Sequence, residues 1–299
     1  MNYTIKQFKA DFPNDDACLN YIFKARFNGF KCPKCGKDTF YRVKGRKCFN
    51  CACGYQIHPV SGTIFHKSDT KLTDWFFAIY LMSNSRNGVS AKELQRHLGV
   101  TYKTAWRIAN RIRSLMKQGG NTLSGTIEAD ETYIGGKRRG ITGRGALGKT
   151  PVIGMVQRGG AVKSKSVSDV QTHIILKELK DNIQFGSRLI TDDFSAYDKV
   201  NRLGLFHDSI NHSKGKYVNG DIHTNTIEGF WSQLKRSIDG TYHAVSAKHL
   251  QSYINEFTFS YNQRLSYVST FQTLLSRLCG LPDEGDQRTP AFVGVKISS

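Results

Sequence analysis

Residues Ile222–Arg236, with the sequence IHTNTIEGFWSQLKR, decide how the second half of the chain folds. Their apolar side chains recur every three or four residues, which is the period of an amphipathic helix lying on a core. This stripe consists of Ile227, Phe230, Trp231, Leu234 and Ile238. The helix also carries the carboxylate of Glu228, and Lys235 follows seven residues later on the same face.

Two acidic residues upstream lie in segments with a strand pattern. Asp130 belongs to TIEADETYIGG and Asp192 to SRLITDDFSAY, and 35 residues separate Asp192 from Glu228. Carboxylates from separate elements are suitable ligands for Mg²⁺ or Mn²⁺, and the sequence has no dense histidine cluster that would favour a softer metal. If the three carboxylates converge, they form a divalent-metal site for phosphodiester chemistry.

The two strand carboxylates have neighbours that could replace them. Glu128 or Glu131 could stand in for Asp130. Asp192 is followed by Asp193, and only one of the two can face the site because neighbouring strand residues point to opposite sides.

Glu228 also has a purely structural interpretation. Asn225 and Glu228 have the spacing of an N-cap residue and its partner in a capping box, so Glu228 could simply help to begin the helix.

From residue 124 to residue 265, short strand patterns alternate with helical ones. The order is β-β-β-α-β-α-β-α, with YDKVNRLG expected as a short helix and the helix of Glu228 last. This order predicts a mixed α/β sheet.

Five of the seven cysteines crowd into one short stretch near the N-terminus. Cys32 and Cys35 form one knuckle, and Cys51 and Cys53 are favoured for the second because Cys53 is followed by glycine, as is Cys35. Four thiolates in this arrangement predict a tetrahedral structural Zn²⁺ site. Cys48 remains an alternative ligand.

A helical segment follows the cysteines. An apolar helix over 71–82, a second helix and a third helix after a turn at Gly99 suggest a helix-turn-helix that binds DNA. Its last helix would present Tyr102, Lys103 and Arg107 outward. An ordinary helical hairpin is the alternative.

Residues Gly143–Thr150 match the phosphate-binding pattern G-x-x-x-x-G-K-[ST]. That motif requires a helix after the loop, whereas Pro151 opens a strand. The better interpretation is that the whole segment 135–150, with the sequence GGKRRGITGRGALGKT, is a basic loop that contacts a DNA backbone. Its basic residues are Lys137, Arg138, Arg139, Arg144 and Lys149.

The charge balance agrees with a DNA partner. The chain has 43 Lys and Arg against 24 Asp and Glu, a net charge of +19 over 299 residues. Such an excess in a folded chain favours nucleic acid over membrane. No apolar run approaches 18 residues and the N-terminus lacks a signal-peptide core, so we expect a cytoplasmic protein.

Six stretches have the look of one known family. They are FPNDDACLNYIFKARFNGFKCPKCG, GYQIHPVSGTIFHKS, VSAKELQRHLGVTYKTAWRI, EADETYIGGK, HTNTIEGFWSQLKR and LQSYINEFTFSYNQR. The chain resembles the DDE transposases of bacterial insertion sequences, in the subgroup with an N-terminal zinc ribbon and a ribonuclease-H-like catalytic domain. The D-D-35-E spacing and the later lysine belong to the same resemblance.

The resemblance implies cleavage at the ends of the element and transfer of the 3′-hydroxyls to target DNA. Lys235 would contact DNA near the cut end, and the ribbon and helix-turn-helix would recognise the inverted repeats. His223 or Asn225 could assist or replace Glu228. The expected setting is a homo-oligomer on double-stranded DNA at the nucleoid. A catalytically silent DNA-binding regulator is the alternative.

The expected organisation is multidomain. An N-terminal helical segment with the zinc ribbon covers 1–66, and the helix-turn-helix covers 67–120. The ribonuclease-H-like domain covers 121–265, and 266–299 form a C-terminal tail.

Overall fold

The computed structural model describes most of the chain as helices and short strands. The described residues are 3–117, 119–135, 148–210 and 221–278. Their elements are α1 (Ile5–Asp11), α2 (Asp15–Phe27), β1 (Phe40–Arg42), β2 (Phe49–Cys51), β3 (Gln56–Ile57), α3 (Leu72–Asn84), α4 (Ala91–Leu98), α5 (Tyr102–Leu115), β4 (Thr126–Gly135), β5 (Lys149–Gln157), β6 (Val162–Ser166), α6 (Thr172–Asn182), β7 (Arg188–Asp192), β8 (Phe206–Ile210), α7 (Asn225–Ser237), α8 (Ala247–Gln263) and α9 (Thr270–Leu278). None of these helices combines the length and apolar character needed to cross a lipid bilayer.

The chain divides into two compact units. The first contains Met1–Ser85, Ala91–Leu115 and the described residues from Tyr267 onward, and the second contains Arg86–Ser90 and Met116–Ser266.

Aromatic packing holds the helices of the first unit together. Phe271 of α9 stacks on Tyr3 with ring centroids 4.6 Å apart, and Phe12 packs on Phe76 of α3 at 4.8 Å. The segment expected as a C-terminal tail therefore begins with a helix that belongs to this aromatic core.

Helices α4 and α5 form the expected helix-turn-helix pair. Gly99 lies in the left-handed region at φ 64°, which lets the chain reverse between them. Thr101 caps α5, because its Oγ1 accepts a hydrogen bond from the backbone N of Thr104 at 3.3 Å. Leu94 and Ile108 are fully buried on the facing sides.

The second unit is built on a five-stranded mixed sheet with the order β6-β5-β4-β7-β8. Strand β4 is central and runs parallel to β7, which runs parallel to β8, whereas β5 is antiparallel to both of its neighbours. Side chains from α6 pack on one face and side chains from α7 and α8 on the other. This sheet confirms the predicted mixed α/β, ribonuclease-H-like domain.

The segment YDKVNRLG does not form one regular helix. It lies across two 3₁₀ turns, Ser195–Tyr197 and Val200–Leu203. The second turn ends at Gly204, whose φ of 68° closes it after four residues.

Two side-chain amides of α8 cover the outer edge of strand β6. Asn262 accepts from the backbone N of Val162 at 2.7 Å and donates to its carbonyl at 2.9 Å. Gln251 accepts from the backbone N of Ser166 at 2.7 Å. These bonds satisfy backbone groups that an edge strand would otherwise leave open.

Replacing Asn262 with alanine should therefore destabilise the second unit. The two backbone groups of Val162 lose their partner, and one unsatisfied buried polar group costs roughly 1–3 kcal/mol. We expect a lower thermal unfolding midpoint by calorimetry for Asn262→Ala than for Asn121→Ala, a change in an exposed loop. Equal midpoints for the two variants would contradict the role of this amide.

Candidate active site and zinc centre

Four cysteines near the N-terminus form a compact sulfur cluster. The Sγ atoms of Cys32 and Cys53 lie 3.5 Å apart and those of Cys35 and Cys51 lie 3.4 Å apart. All four sulfurs lie within 4.8 Å of one another, a set to which Cys48 does not belong. The donor set and its spacing suit a tetrahedral zinc ion, and the second knuckle uses Cys51 and Cys53.

Each knuckle ends in a glycine that the turn requires. Gly36 and Gly54 have φ values of 74° and 83°, in the left-handed region that favours glycine. Their backbone N–H groups donate to the carbonyls of Cys32 and Cys51 at 2.8 and 2.9 Å. The glycine after the second cysteine of each knuckle therefore turns the chain back toward the sulfur cluster.

The second unit gathers three carboxylates at the centre of its sheet. One oxygen from each of Asp130, Glu131 and Asp192 lies within 4.8 Å of the others. Asp130 is in the middle of β4, and Asp192 ends the neighbouring parallel strand β7. The structure therefore brings two of the three sequence-predicted carboxylates together and adds Glu131 beside them.

The electrostatics of this cluster favour a bound cation. Burial, together with the nearby charges of Glu131 and Asp192, raises the pKa of Asp130 to about 7. Burial and the nearby Glu131 carboxylate also raise the pKa of Tyr197, whose hydroxyl donates to Glu131 Oε2 at 3.2 Å. Close like charges of this kind are stabilised when a divalent ion neutralises them.

A tryptophan from α7 orients Asp130. The Nε1 of Trp231 donates to Asp130 Oδ2 at 3.0 Å. Gly154 of β5 pairs directly with Asp130, and a Cβ at that glycine would lie 2.5 Å from the Trp231 ring. The glycine is needed because the indole occupies the space where a side chain would be.

Glu128 lies on the same face of β4 but has a different role. Its Oε2 accepts from the backbone N–H groups of Thr226 and Ile227 at 2.8 and 3.0 Å, and its Oε1 accepts from Arg158 Nε at 2.7 Å. With both oxygens engaged at the start of α7, Glu128 does not replace Asp130 in the acidic cluster.

Glu228 lies in the first turn of α7, on its exposed side. Its Oε1 accepts from the hydroxyl of Thr224 at 2.7 Å, and Glu228 does not belong to the group of three clustered carboxylates. The N-cap position is Thr224 rather than Asn225, so the capping box considered from the sequence is not formed by that pair. The expected stripe from Ile227 to Ile238 is buried.

The other residues that the sequence offered as alternatives do not belong to the acidic cluster. Asp193 is exposed and lies outside the cluster that contains Asp192. His223 Nδ1 lies 3.1 Å from Arg158 Nη2 and 3.4 Å from Glu128 Oε1. His223 therefore contacts the arginine, and Asn225 is exposed at the start of α7.

The residues predicted to contact DNA are partly described. At the start of α5, Tyr102 is 53% exposed and Lys103 is exposed, whereas Arg107 is half-buried. Lys235 is exposed on α7. The loop residues Lys137, Arg138, Arg139 and Arg144 lie outside the described residues.

Three contributors to the site were missed from the sequence: Trp231 as a donor to Asp130, Gly154 as the space for its ring, and Glu128 as the cap of α7. Only Glu128 left a signal, because an acidic residue on the Asp130 face of a strand must find a partner once a helix covers that face.

The zinc assignment predicts different effects of replacing Cys53 and Cys48. Cys53→Ser should lose about one equivalent of zinc per chain, because it removes one of four ligands. Cys48→Ser should retain the metal. Metal content of the purified variants, measured by atomic emission, checks both. Zinc loss in Cys48→Ser with retention in Cys53→Ser would reverse the assignment.

Comparison with known proteins gives the family. Residues 122–262 match the ISXO2-like transposase domain, and residues 13–56 match a transposase zinc-ribbon domain. The chain is 28% identical over 271 residues to an uncharacterized protein in transposable element ISH50 of Halobacterium salinarum, covering 82% of this chain and 90% of that one. It is 26% identical over 96 residues to an uncharacterized transposase-like protein of Haemophilus influenzae, covering 32% and 76%.

Similarity to solved structures is weak. The simian T-cell lymphotropic virus intasome, solved with the PP2A regulatory subunit B56 gamma, matches with a TM-score of 0.32 and 12% identity over 71% of this chain and 76% of that chain. A score at this level carries no argument about function. The two family domains, in the order that the sequence predicts, show that the chain belongs to the DDE transposases of insertion sequences that carry an N-terminal zinc ribbon.

Proposed function

We propose that this transposase cleaves DNA at the ends of its insertion sequence and joins the freed 3′-hydroxyls to target DNA. The observation that carries the proposal is the convergence of Asp130 and Asp192 on neighbouring parallel strands. Helix α7, whose Trp231 donates a hydrogen bond to Asp130, also carries Glu228.

The residues of the cluster fit Mg²⁺ or Mn²⁺. All of the donors are carboxylate oxygens, which these ions prefer. Burial and the neighbouring carboxylate charges raise the pKa of Asp130, so a cation at this position would relieve their repulsion. When bound, such ions activate an attacking hydroxyl and stabilise the leaving oxygen in phosphodiester chemistry.

We assign Glu228 as the third ligand. It lies one helical turn before Trp231, whose ring is bonded to Asp130. Residues three apart on a helix are surface neighbours, so the Glu228 side chain starts next to the residue that touches the cluster. Its contact with Thr224 is a single, part-buried hydrogen bond, which DNA and metal binding can replace.

Double-stranded DNA is the proposed partner, both as inverted repeats and as target, bound by a homo-oligomer in the cytoplasm at the nucleoid. The net charge of +19 supports it. Tyr102, Lys103 and Arg107 of α5 would contact the inverted repeats, and Lys235 would contact the cut end. The loop residues Lys137, Arg138, Arg139 and Arg144 would contact the backbone.

Each proposed domain corresponds to one of these functions. Residues 1–66 hold the structural zinc ribbon, 67–120 the DNA-binding helices, 121–265 the catalytic domain and 266–299 the C-terminal segment.

Neutral substitutions of the acidic residues test the catalytic role. We expect Asp130→Asn, Asp192→Asn and Glu228→Gln each to slow strand transfer of a labelled inverted-repeat end by at least about 100-fold, because each removes a charge that holds metal at the reacting phosphate. DNA binding by gel shift should persist, since α5 is unchanged.

The matched control is Asp193→Asn, which removes an exposed carboxylate next to Asp192. It should transfer strands at the wild-type rate. Full activity in Asp192→Asn together with loss in Asp193→Asn would refute the site. A wild-type protein that binds ends but never transfers them would instead be a silent regulator.

A further inference from the structure

We propose that Glu128 and Arg158 are positioning residues that fix the first turn of helix α7, and through it Glu228, over the acidic cluster. The inference rests on the proposed function, in which Glu228 is a ligand. Neither residue touches the proposed metal position, because their polar atoms are directed to α7 and to the segment before it.

Glu128 replaces the local cap that α7 lacks. The first N–H groups of a helix have no partner within the helix, and Thr224 at the N-cap makes no side-chain bond to them. The Glu128 carboxylate, which is 0% exposed, accepts from the backbone of Thr226 and Ile227. It also accepts from the Thr226 hydroxyl at 2.8 Å. A buried anion at this end of a helix is further stabilised by the helix dipole.

Arg158 holds both the carboxylate and the chain that leads into α7. Its Nε donates to Glu128 Oε1 at 2.7 Å, its Nη1 to the carbonyl of Asp221 at 2.7 Å and its Nη2 to the carbonyl of His223 at 2.8 Å. The arginine follows β5 directly, and its backbone N donates to the carbonyl of Thr126 on β4 at 3.0 Å. The start of α7 is therefore hydrogen-bonded to Glu128 of the central strand β4 and to Arg158, the residue that follows β5.

These contacts bracket Glu228. Before it, Thr226 and Ile227 are bonded to Glu128, and after it, Trp231 is bonded to Asp130. Glu128 and Asp130 are two residues apart on one face of β4, so the hydrogen bonds on both sides of Glu228 attach α7 to the same strand. The backbone of Glu228 thus has a fixed distance from Asp130, which is what a ligand shared between a strand and a helix needs.

Hydrogen exchange tests the anchor without any activity. Glu128→Gln keeps the size of the side chain but places an NH₂ group where an acceptor is needed. Amide exchange in peptides covering Thr226 and Ile227 should become at least about tenfold faster, while exchange in α8 stays at the wild-type rate. Asn262→Ala, which loosens β6 against α8, should show the reverse pattern. Unchanged exchange at the start of α7 would overturn the proposal.

A double-mutant cycle tests the link to Glu228. Single-turnover strand transfer, at saturating DNA and Mg²⁺, should fall about 10- to 100-fold in Glu128→Gln, which is typical for residues that orient metal ligands. Arg158→Lys should give a smaller loss in the same direction. Adding Glu128→Gln to Glu228→Gln should cause no further loss, because the anchored ligand is already absent.

Two results would contradict positioning through Glu228. One is a loss in the double variant equal to the product of the single losses. The other is wild-type transfer in Glu128→Gln at a temperature at which Asn262→Ala is also folded and active. Failure of the proposed function is recognised separately, since Asp130→Asn would then leave the transfer rate unchanged while the exchange result still stands.

Discussion

The hydrogen bonds between strand β4 and helix α7 are the contacts on which the second unit depends. Glu128 accepts from the first turn of α7, and Asp130, two residues later, accepts from Trp231 in the next turn. A sheet and a helix otherwise meet through apolar contacts, which have little direction. These three hydrogen bonds to carboxylates fix the position of α7 along the strand. Gly154 makes the bond from Trp231 possible by leaving space for the indole ring.

The acidic cluster, unlike these favourable hydrogen bonds, brings like charges close together. Burial and two neighbouring carboxylates raise the pKa of Asp130, so the side chains repel one another until a cation joins them. The surrounding fold tolerates this because Asp130 still accepts from Trp231 and from the backbone N of Glu131, at 3.0 and 2.8 Å. Unfavourable electrostatics held by a rigid scaffold are typical of functional sites. The four-cysteine cluster in the first unit is likewise held by its backbone, because two glycine-ended turns keep the four sulfurs together.

Local patterns predicted most elements of the fold, although the helix expected for YDKVNRLG is replaced by two 3₁₀ turns. The apolar period of α7, the alternation in β4 and the cysteine–glycine repeats each depend on residues close in sequence, and the structure has a helix, a strand and a sulfur cluster at these places. The contacts that complete the site join distant residues. Glu128 and Thr226 are 98 positions apart, and Val162 and Asn262 are 100 apart. No periodicity encodes such pairs, so the cap of α7 and the cover of β6 needed the structure. The spacing between Asp192 and Glu228 also could not predict that the Glu228 side chain lies outside the cluster of three carboxylates.

In the proposed function, Asp130 and Asp192 share a divalent cation. The most direct measurement is an anomalous difference map from crystals of the protein soaked in Mn²⁺. We expect a peak between these two carboxylates, with Glu131 beside it, and loss of that peak in crystals of Asp192→Asn. A map with no peak at this position under saturating Mn²⁺, or with the ion bound elsewhere in the second unit, would contradict a cation shared by Asp130 and Asp192.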